Sequence, residues 1–89
     1  KNDTLIIIKS LKLLSIINRN ITKFDISAEY LYKALKLAED QNYLKEISDL
    51  YNNLGTVYQS NGKYEKSLVN YKKSLEILKA SFWDKKLRE

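Results

Sequence analysis

The residues with catalytic potential in this 89-residue sequence are carboxylates, because the chain contains neither histidine nor cysteine. The absence of histidine and cysteine removes the commonest general base, the thiol nucleophiles and most transition-metal sites. Two carboxylate pairs remain, Glu39 with Asp40 and Glu46 with Asp49, and no phosphate-binding or metal-binding loop accompanies either. Both pairs are typical of charged residues on the surface or at the end of a helix. The sequence therefore predicts no catalytic residue, no metal site and no cofactor, and we do not expect an enzyme.

The charge of the chain argues only weakly for nucleic acid as a partner. The formal net charge is +5 and the isoelectric point is about 9.4, but the sequence contains no block of basic residues. Arg19 and Arg88 are the only arginines, and arginine is the side chain that usually reads phosphates and bases. Nucleic-acid binding is therefore not the favoured function.

The hydrophobic content predicts a folded chain without a membrane span. Hydrophobic residues make up 44% and charged residues 30% of the sequence, which is ordinary for one soluble globular domain. The most apolar stretch, residues 5–21, is interrupted by Lys9, Lys12 and Arg19. Its longest uncharged piece, residues 13–18, is much shorter than the roughly twenty residues that cross a bilayer. No compact signal-peptide core is present, and we expect a cytoplasmic location.

The two halves of the chain resemble each other. A shift of forty residues superimposes matching residues throughout, including Leu14 on Leu54, Ser15 on Gly55, Phe24 on Tyr64, Ser27 on Ser67 and Leu35 on Leu75. Self-similarity at a fixed interval of twenty to fifty residues is typical of stacked supersecondary units. The sequence therefore predicts two copies of one helical hairpin.

The second copy has the spacing of two closely packed antiparallel helices. Gly55 precedes Tyr58 by three residues, which lets another helix approach the backbone at Gly55 while the tyrosine fills the rest of the seam. Ser67 and Tyr71 follow at helical spacing in the next segment. Small and large residues in this order, ending near Leu78, resemble a tetratricopeptide repeat, here of a long-helix type with a period of about forty residues instead of about thirty-four.

The resemblance implies an all-α fold in which antiparallel helix hairpins stack as a fragment of an α-solenoid. We expect helices over residues 3–19, 25–40, 43–60 and 64–82, with a further helix starting near residue 84. The chain is then one domain, residues 1–89, with repeat one at about 5–42, repeat two at about 43–82 and the start of a third hairpin at 83–89. We expect it to be an excerpt from a larger protein.

Helical periodicity predicts which side chains face inward. The inward set of the second helix is Ala28, Leu31, Ala34, Leu35 and Ala38, and that of the last helix is Tyr64, Ser67, Leu68, Tyr71, Ser74, Leu75 and Leu78, with Asn70 facing solvent. Asn61-Gly62 is expected to end a helix, because glycine readily takes the left-handed conformation. The equivalent turn at residues 20–23 has no glycine and should be less tightly capped.

Repeats of this family hold other proteins, and the resemblance implies that the first helix of each hairpin lines a concave groove. Asparagine pairs well with a peptide main chain because it offers donors and an acceptor together, and the lysines suit an acidic partner segment. The predicted groove consists of Lys9, Lys12, Arg19, Asp49, Asn52, Asn53, Thr56 and Gln59.

The alternative function is self-association or docking within a larger protein. Residues 5–17 are apolar on almost every face of the predicted helix, so we expect a further helix or protein to pack against it. The predicted contact residues at the ends of the stack are Leu5, Ile7, Ile8, Phe82 and Trp83. Long-helix repeats of this type are similar to those attached to bacterial sensor kinases and transcription regulators, which makes a signalling parent protein the expected context.

Overall fold

The computed structural model describes residues 2–88, which form four helices and, over this range, no strand. The helices are α1 (Asn2–Asn20), α2 (Phe24–Asp40), α3 (Leu44–Ser60) and α4 (Tyr64–Arg88). Helix α1 packs on α2 and α3 packs on α4, which gives two hairpins, and α2 joins them by packing on α3. The all-α hairpin fold expected from the sequence is confirmed.

Three short turns of the same design connect the helices. Each contains one residue in the left-handed conformation, namely Thr22 (φ 63°), Asn42 (φ 56°) and Gly62 (φ 77°). The amide that follows this residue donates to the carbonyl five positions earlier, at 2.8 to 3.0 Å in all three turns. This is the pattern of a Schellman helix end. The first turn has these bonds despite its lack of glycine, because Thr22 adopts the left-handed conformation.

The core is centred on α2 and α3. All five residues predicted to face inward on α2 are buried, and Leu31, Ala34 and Ala38 are completely so. A buried residue of α1 and a stripe of α3 complete the core, which consists of Ile8, Ala28, Leu31, Ala34, Leu35, Ala38, Ile47, Leu50, Leu54 and Val57. Small residues on α2 allow its neighbours to approach closely on both sides.

The predicted inward face of α4 is wrong for Asn70 and for four of its five large members, whereas the fifth, Tyr71, packs on Gly55 of α3 as expected. Helix α4 meets α3 through buried Ser67, Asn70 and Ser74 and through the half-buried ring of Tyr71. Small side chains on this face let the two helices lie close together, so the contact occupies a narrow strip. The large apolar residues beside the strip are left at half exposure or more, namely Tyr64 (70%), Leu68 (55%), Leu75 (53%) and Leu78 (50%).

Helix α4 does not break where the third hairpin was expected to begin. It continues for 25 residues to Arg88, so residues 83–88 extend α4 instead of starting a new helix, and residue 89 lies outside the described residues. The reason is local, because residues 77–84 contain no glycine, asparagine or proline that would favour a helix end. By contrast, the second and third turns contain Asn42 and Gly62, and the first turn follows Asn20.

Helix α1 presents an apolar side away from α2. Ile6, Leu13 and Ile17 are more than half exposed, whereas Ile8 and Ser15 are buried against α2. Among residues 2–88, no helix combines the length and hydropathy needed to span a bilayer. Asn18, one of the less apolar residues of this helix, donates its side-chain amide to the carbonyl of Leu14 at 2.7 Å.

Candidate partner-binding surface

Each hairpin contains an equivalent hydrogen bond between its two helices, and this bond sets the position of the first helix. Ser27 donates its hydroxyl to the carbonyl of Ser15 at 2.8 Å, and forty positions later Ser67 donates to the carbonyl of Gly55 at 2.8 Å. In the first hairpin the two serine hydroxyls also lie 2.8 Å apart. The bond links the second helix of each hairpin to a small residue of the first. It thereby fixes the face that each first helix turns to solvent.

A tyrosine of α4 anchors part of the predicted groove. The hydroxyl of Tyr71 donates to Oε1 of Gln59 at 3.0 Å and lies 3.0 Å from the hydroxyl of Thr56. Thr56 also lies 3.2 Å from the carbonyl of Asn52, so its single hydroxyl proton is shared between this carbonyl and the oxygen of Tyr71. These bonds restrict the rotamers of Thr56 and Gln59. Sequence reasoning assigned Tyr71 to the core, but its hydroxyl reaches this surface.

An ion pair joins the two first helices. Lys12 of α1 donates to the carboxylate of Asp49 on α3, and the side chains are 22% and 43% exposed. The contact brings one predicted groove residue of α1 together with one of α3. Asn53 lies beside it and donates its side-chain amide to the carbonyl of Asp49 at 2.8 Å.

The remaining predicted groove residues are Lys9, Asn52 and Arg19, and they differ in how exposed their side chains are. Lys9 and Asn52 are exposed, and neither side chain has a hydrogen-bond or ion-pair partner within residues 2–88. Arg19 is half-buried. We define the α1–α3 surface as the eight predicted groove residues, Lys9, Lys12, Arg19, Asp49, Asn52, Asn53, Thr56 and Gln59.

The predicted stack-end residues separate into three groups. Ile7, Phe82 and Trp83 are exposed at 48%, 56% and 62%, and Leu5 is half-buried. Ile8 is completely buried in the core, so its assignment to a stack-end contact is wrong. Its position in the helix turns it toward α2. The rings of Phe82 and Trp83 pack edge to face, with centroids 5.9 Å apart.

Sequence reasoning missed a group of tyrosines and lysines on the other side of α3. The hydroxyls of Tyr32 and Tyr58 lie 2.8 Å apart. The ammonium of Lys66 lies 5.4 Å from the ring centroid of Tyr58, and that of Lys73 lies 5.3 Å from that of Tyr51. The seven-residue spacing of both the tyrosines and the lysines in the sequence was the available signal, since it places each pair on one helix face.

Two of these tyrosines have raised pKa values. Burial, followed by the hydrogen bond with Tyr32, raises the pKa of Tyr58 from 10.0 to about 12. Burial, with smaller contributions from the charge of Glu39 and from Tyr32, raises the pKa of Tyr51. Both phenols are therefore uncharged hydrogen-bonding groups at neutral pH.

Comparison with known proteins identifies one segment of the chain. Residues 48–79, which cover most of α3 and more than half of α4, match the family model described as tetratricopeptide repeat. No significant match was found among curated proteins or among solved structures. The matched segment contains the Gly55 seam, Tyr71 and the α3 half of the α1–α3 surface.

Proposed function

Residues 48–79 form a tetratricopeptide repeat, and on that premise we propose that the α1–α3 surface binds a peptide segment of a partner protein. Repeats of this family generally mediate protein–protein interactions and are not catalytic. The proposal extends this general role to a particular surface and to a particular kind of ligand, an extended or helical peptide with acidic character.

The observation that carries the proposal is the ion pair between Lys12 and Asp49. It supports a continuous surface, because residues chosen separately on α1 and on α3 meet there. A peptide that lies across both first helices could contact Lys9 at one end and Gln59 at the other. Such a ligand would bury more surface than a ligand bound to one helix.

Internal hydrogen bonds favour Asn52 over Asn53 as the residue that contacts a peptide main chain. One amide proton of Asn53 is already donated to the carbonyl of Asp49. The side chain of Asn52 is exposed and retains two donors and an acceptor for a ligand. Thr56 and Gln59 are held by Tyr71, and side chains held in place lose less entropy on binding.

Charge supports an acidic ligand. Asp49 neutralises Lys12, but Lys9 and Arg19 have no carboxylate partner within residues 2–88. They would attract an acidic segment and increase its association rate. Asp49 would repel it locally, so the acidic residues of the ligand should lie nearer to α1.

Selection from a random peptide library displayed on phage tests this proposal. The expected result is enrichment of peptides whose affinity, measured by fluorescence anisotropy, falls about fivefold in Asn52→Ala, the effect of losing roughly one hydrogen bond. Lys36→Ala, on the exposed side of α2, is the control and should not change affinity. Selected peptides that bind Asn52→Ala and Lys9→Ala as tightly as the parent chain would refute the proposal.

The exposed ends favour self-association as the second candidate. Ile7 on α1 and Phe82 with Trp83 on α4 are large apolar residues at opposite ends of the helix stack. Terminal repeats of a solenoid normally present a polar outer face, whereas these three residues are apolar and exposed. A mass that rises with concentration in light scattering, and that Ile7→Asp restores to the monomer value, would support this function. A monomer at all concentrations would exclude it.

A further inference from the structure

A cleft lies between α2 and α4, on the side of α3 away from the α1–α3 surface. Within residues 2–88 these two helices do not pack directly on each other, and α3 forms the floor between them. The cavity has a volume of about 290 Å³. We call it the α2–α4 cleft, and its lining residues are Tyr32, Leu35, Tyr51, Tyr58, Lys66, Val69, Asn70 and Lys73.

The cleft carries two cations without a matching anion. The ammonium groups of Lys66 and Lys73 lie over tyrosine rings at 5.4 and 5.3 Å. No carboxylate lines the cleft, and no residue among 2–88 forms an ion pair with either lysine. Contact with a ring face holds an ammonium in place by cation–π attraction, while the N–H donors that point away from the ring remain usable.

The cleft contains both polar and apolar groups. In the hydrogen bond between Tyr32 and Tyr58, one hydroxyl donates and the other keeps its own proton, which it can offer to an acceptor on a ligand. Leu35 and Val69 add apolar lining to the cleft. The donors and cations suit carboxylates, and the apolar lining suits an aliphatic side chain.

Acidic residues limit the length of any anionic ligand. Asp25 and Glu29 line a neighbouring cavity of about 190 Å³ beyond the Tyr32–Tyr58 hydroxyl contact, together with Lys63 and Lys66. Beyond the other end, the charge of Glu39 acts on Tyr51. A long polyanion such as a nucleic acid would meet these carboxylates, whereas a short segment can lie between them.

We propose that the α2–α4 cleft is a separate docking site for a short acidic peptide segment. Lys66 and Lys73 are seven residues apart on one helix, which separates them by about 10 Å along its axis. Two carboxylates three residues apart on a polyproline II backbone are about 9 Å apart and lie on the same side. The ligand is therefore a segment with this acid spacing and an aliphatic residue between the acids.

This site is distinct from the α1–α3 surface. At 3.6 residues per turn, Tyr51 and Tyr58 lie on one face of α3, and Asp49 and Thr56 lie roughly opposite. The two surfaces therefore do not share side chains. One molecule of the chain could hold two protein segments at once.

The test uses the full chain and a fluorescent proline-rich peptide with two glutamates three residues apart and a leucine between them. The expected result is salt-sensitive binding in anisotropy measurements, weakened about fivefold to tenfold in Lys66→Gln/Lys73→Gln. The matched control is Lys72→Gln/Lys79→Gln, which removes the same charge at the same spacing from exposed positions of α4 outside the cleft. The control should bind as the parent chain does.

Three further outcomes would overturn the proposal. Equal weakening in both double variants would mean that net charge alone attracts the peptide. Equal binding of a peptide with glutamine in place of both glutamates would remove the role of the carboxylates. Tighter binding of a short single-stranded nucleic acid that depends on the same two lysines would assign the cleft to another class of ligand. Asn52→Ala serves as a reference and should leave binding at this site unchanged.

Discussion

The ring of Tyr71 lies against the α-carbon of Gly55 so closely that a β-carbon at this position would be 2.6 Å from ring carbons Cδ1 and Cε1. No real side chain tolerates that distance, so the seam between α3 and α4 depends on glycine. The hydroxyl of the same tyrosine is held by Thr56 and Gln59. The ring therefore cannot move away without losing hydrogen bonds on the α1–α3 surface.

Gly55→Ala should lower the free energy of unfolding by about 1 to 2 kcal/mol. Overpacking costs about 1 to 3 kcal/mol, and replacing glycine within a helix regains about 0.5 to 1 kcal/mol. In a Tyr71→Ala background the clash is absent, so the same change should stabilise the protein. Both effects are measured by urea unfolding of the parent chain, the two single variants and the double variant. An osmolyte is added so that all four proteins are folded before urea is applied. A Gly55→Ala effect of the same sign in both backgrounds would contradict the close contact.

The left-handed turn residues lead to a second prediction. Gly62→Ala should destabilise the protein by about 1 to 2 kcal/mol, because a β-carbon is unfavourable in this conformation. No atom lies within 4 Å of the position of that carbon, so the cost would be conformational and not steric. Thr22→Gly should have the opposite effect and raise stability by about 1 kcal/mol.

Asn20→Gly is the control for the first turn. Asn20 is the last residue of α1 and lies outside the left-handed position, so glycine there should lower stability or leave it unchanged. Thermal unfolding of the three variants is sufficient to rank them. Stabilisation by Asn20→Gly equal to that by Thr22→Gly would show that flexibility of the turn, and not the conformation of Thr22, decides the effect.

The equivalent serines of the two hairpins should respond differently to removal of their hydroxyls. Ser27→Ala leaves the buried hydroxyl of Ser15 without its partner Ser27, so we expect a cost of about 1 to 3 kcal/mol. Ser67→Ala removes only a bond to the carbonyl of Gly55 and should cost about 1 kcal/mol or less. Denaturant unfolding measures both values.

The double variant Ser15→Ala/Ser27→Ala identifies the cause of this difference. Replacing both hydroxyls removes the unpaired group, so stability should recover toward that of the parent chain. If the double variant were less stable than Ser27→Ala alone, the cost would come from packing volume and not from an unsatisfied hydroxyl.

The sequence was sufficient to predict the hairpin fold, since the periodicity of α2 and the Gly55 seam depend on local spacing. It was insufficient for α4, because most apolar residues at helical spacing there are left exposed while Ser67, Asn70, Tyr71 and Ser74 make the contact. Side-chain hydrophobicity predicts burial only when one partner is available for the whole apolar face. The contact between Tyr32 and Tyr58 joins residues 26 positions apart, and no local pattern specifies it.

The raised pKa of Tyr58 predicts a loss of stability in alkaline solution. Its ordinary value of 10.0 rises to about 12 in the folded chain, mainly through burial and then through the hydrogen bond with Tyr32. Between these pH values the unfolded state has released the proton and the folded state has not. The contribution to stability is therefore complete below about pH 10 and is lost as the pH rises toward about 12.

Tyr58→Phe should remove this part of the alkaline decline. We expect urea unfolding at a series of pH values to give a shallower decline between pH 10 and 12 for Tyr58→Phe than for the parent chain. Tyr64→Phe is the matched control, because Tyr64 is 70% exposed, and it should keep the decline of the parent chain. Parallel curves for Tyr58→Phe and the parent would mean that the phenol of Tyr58 titrates alike in the folded and unfolded chains, and would contradict its burial beside Tyr32.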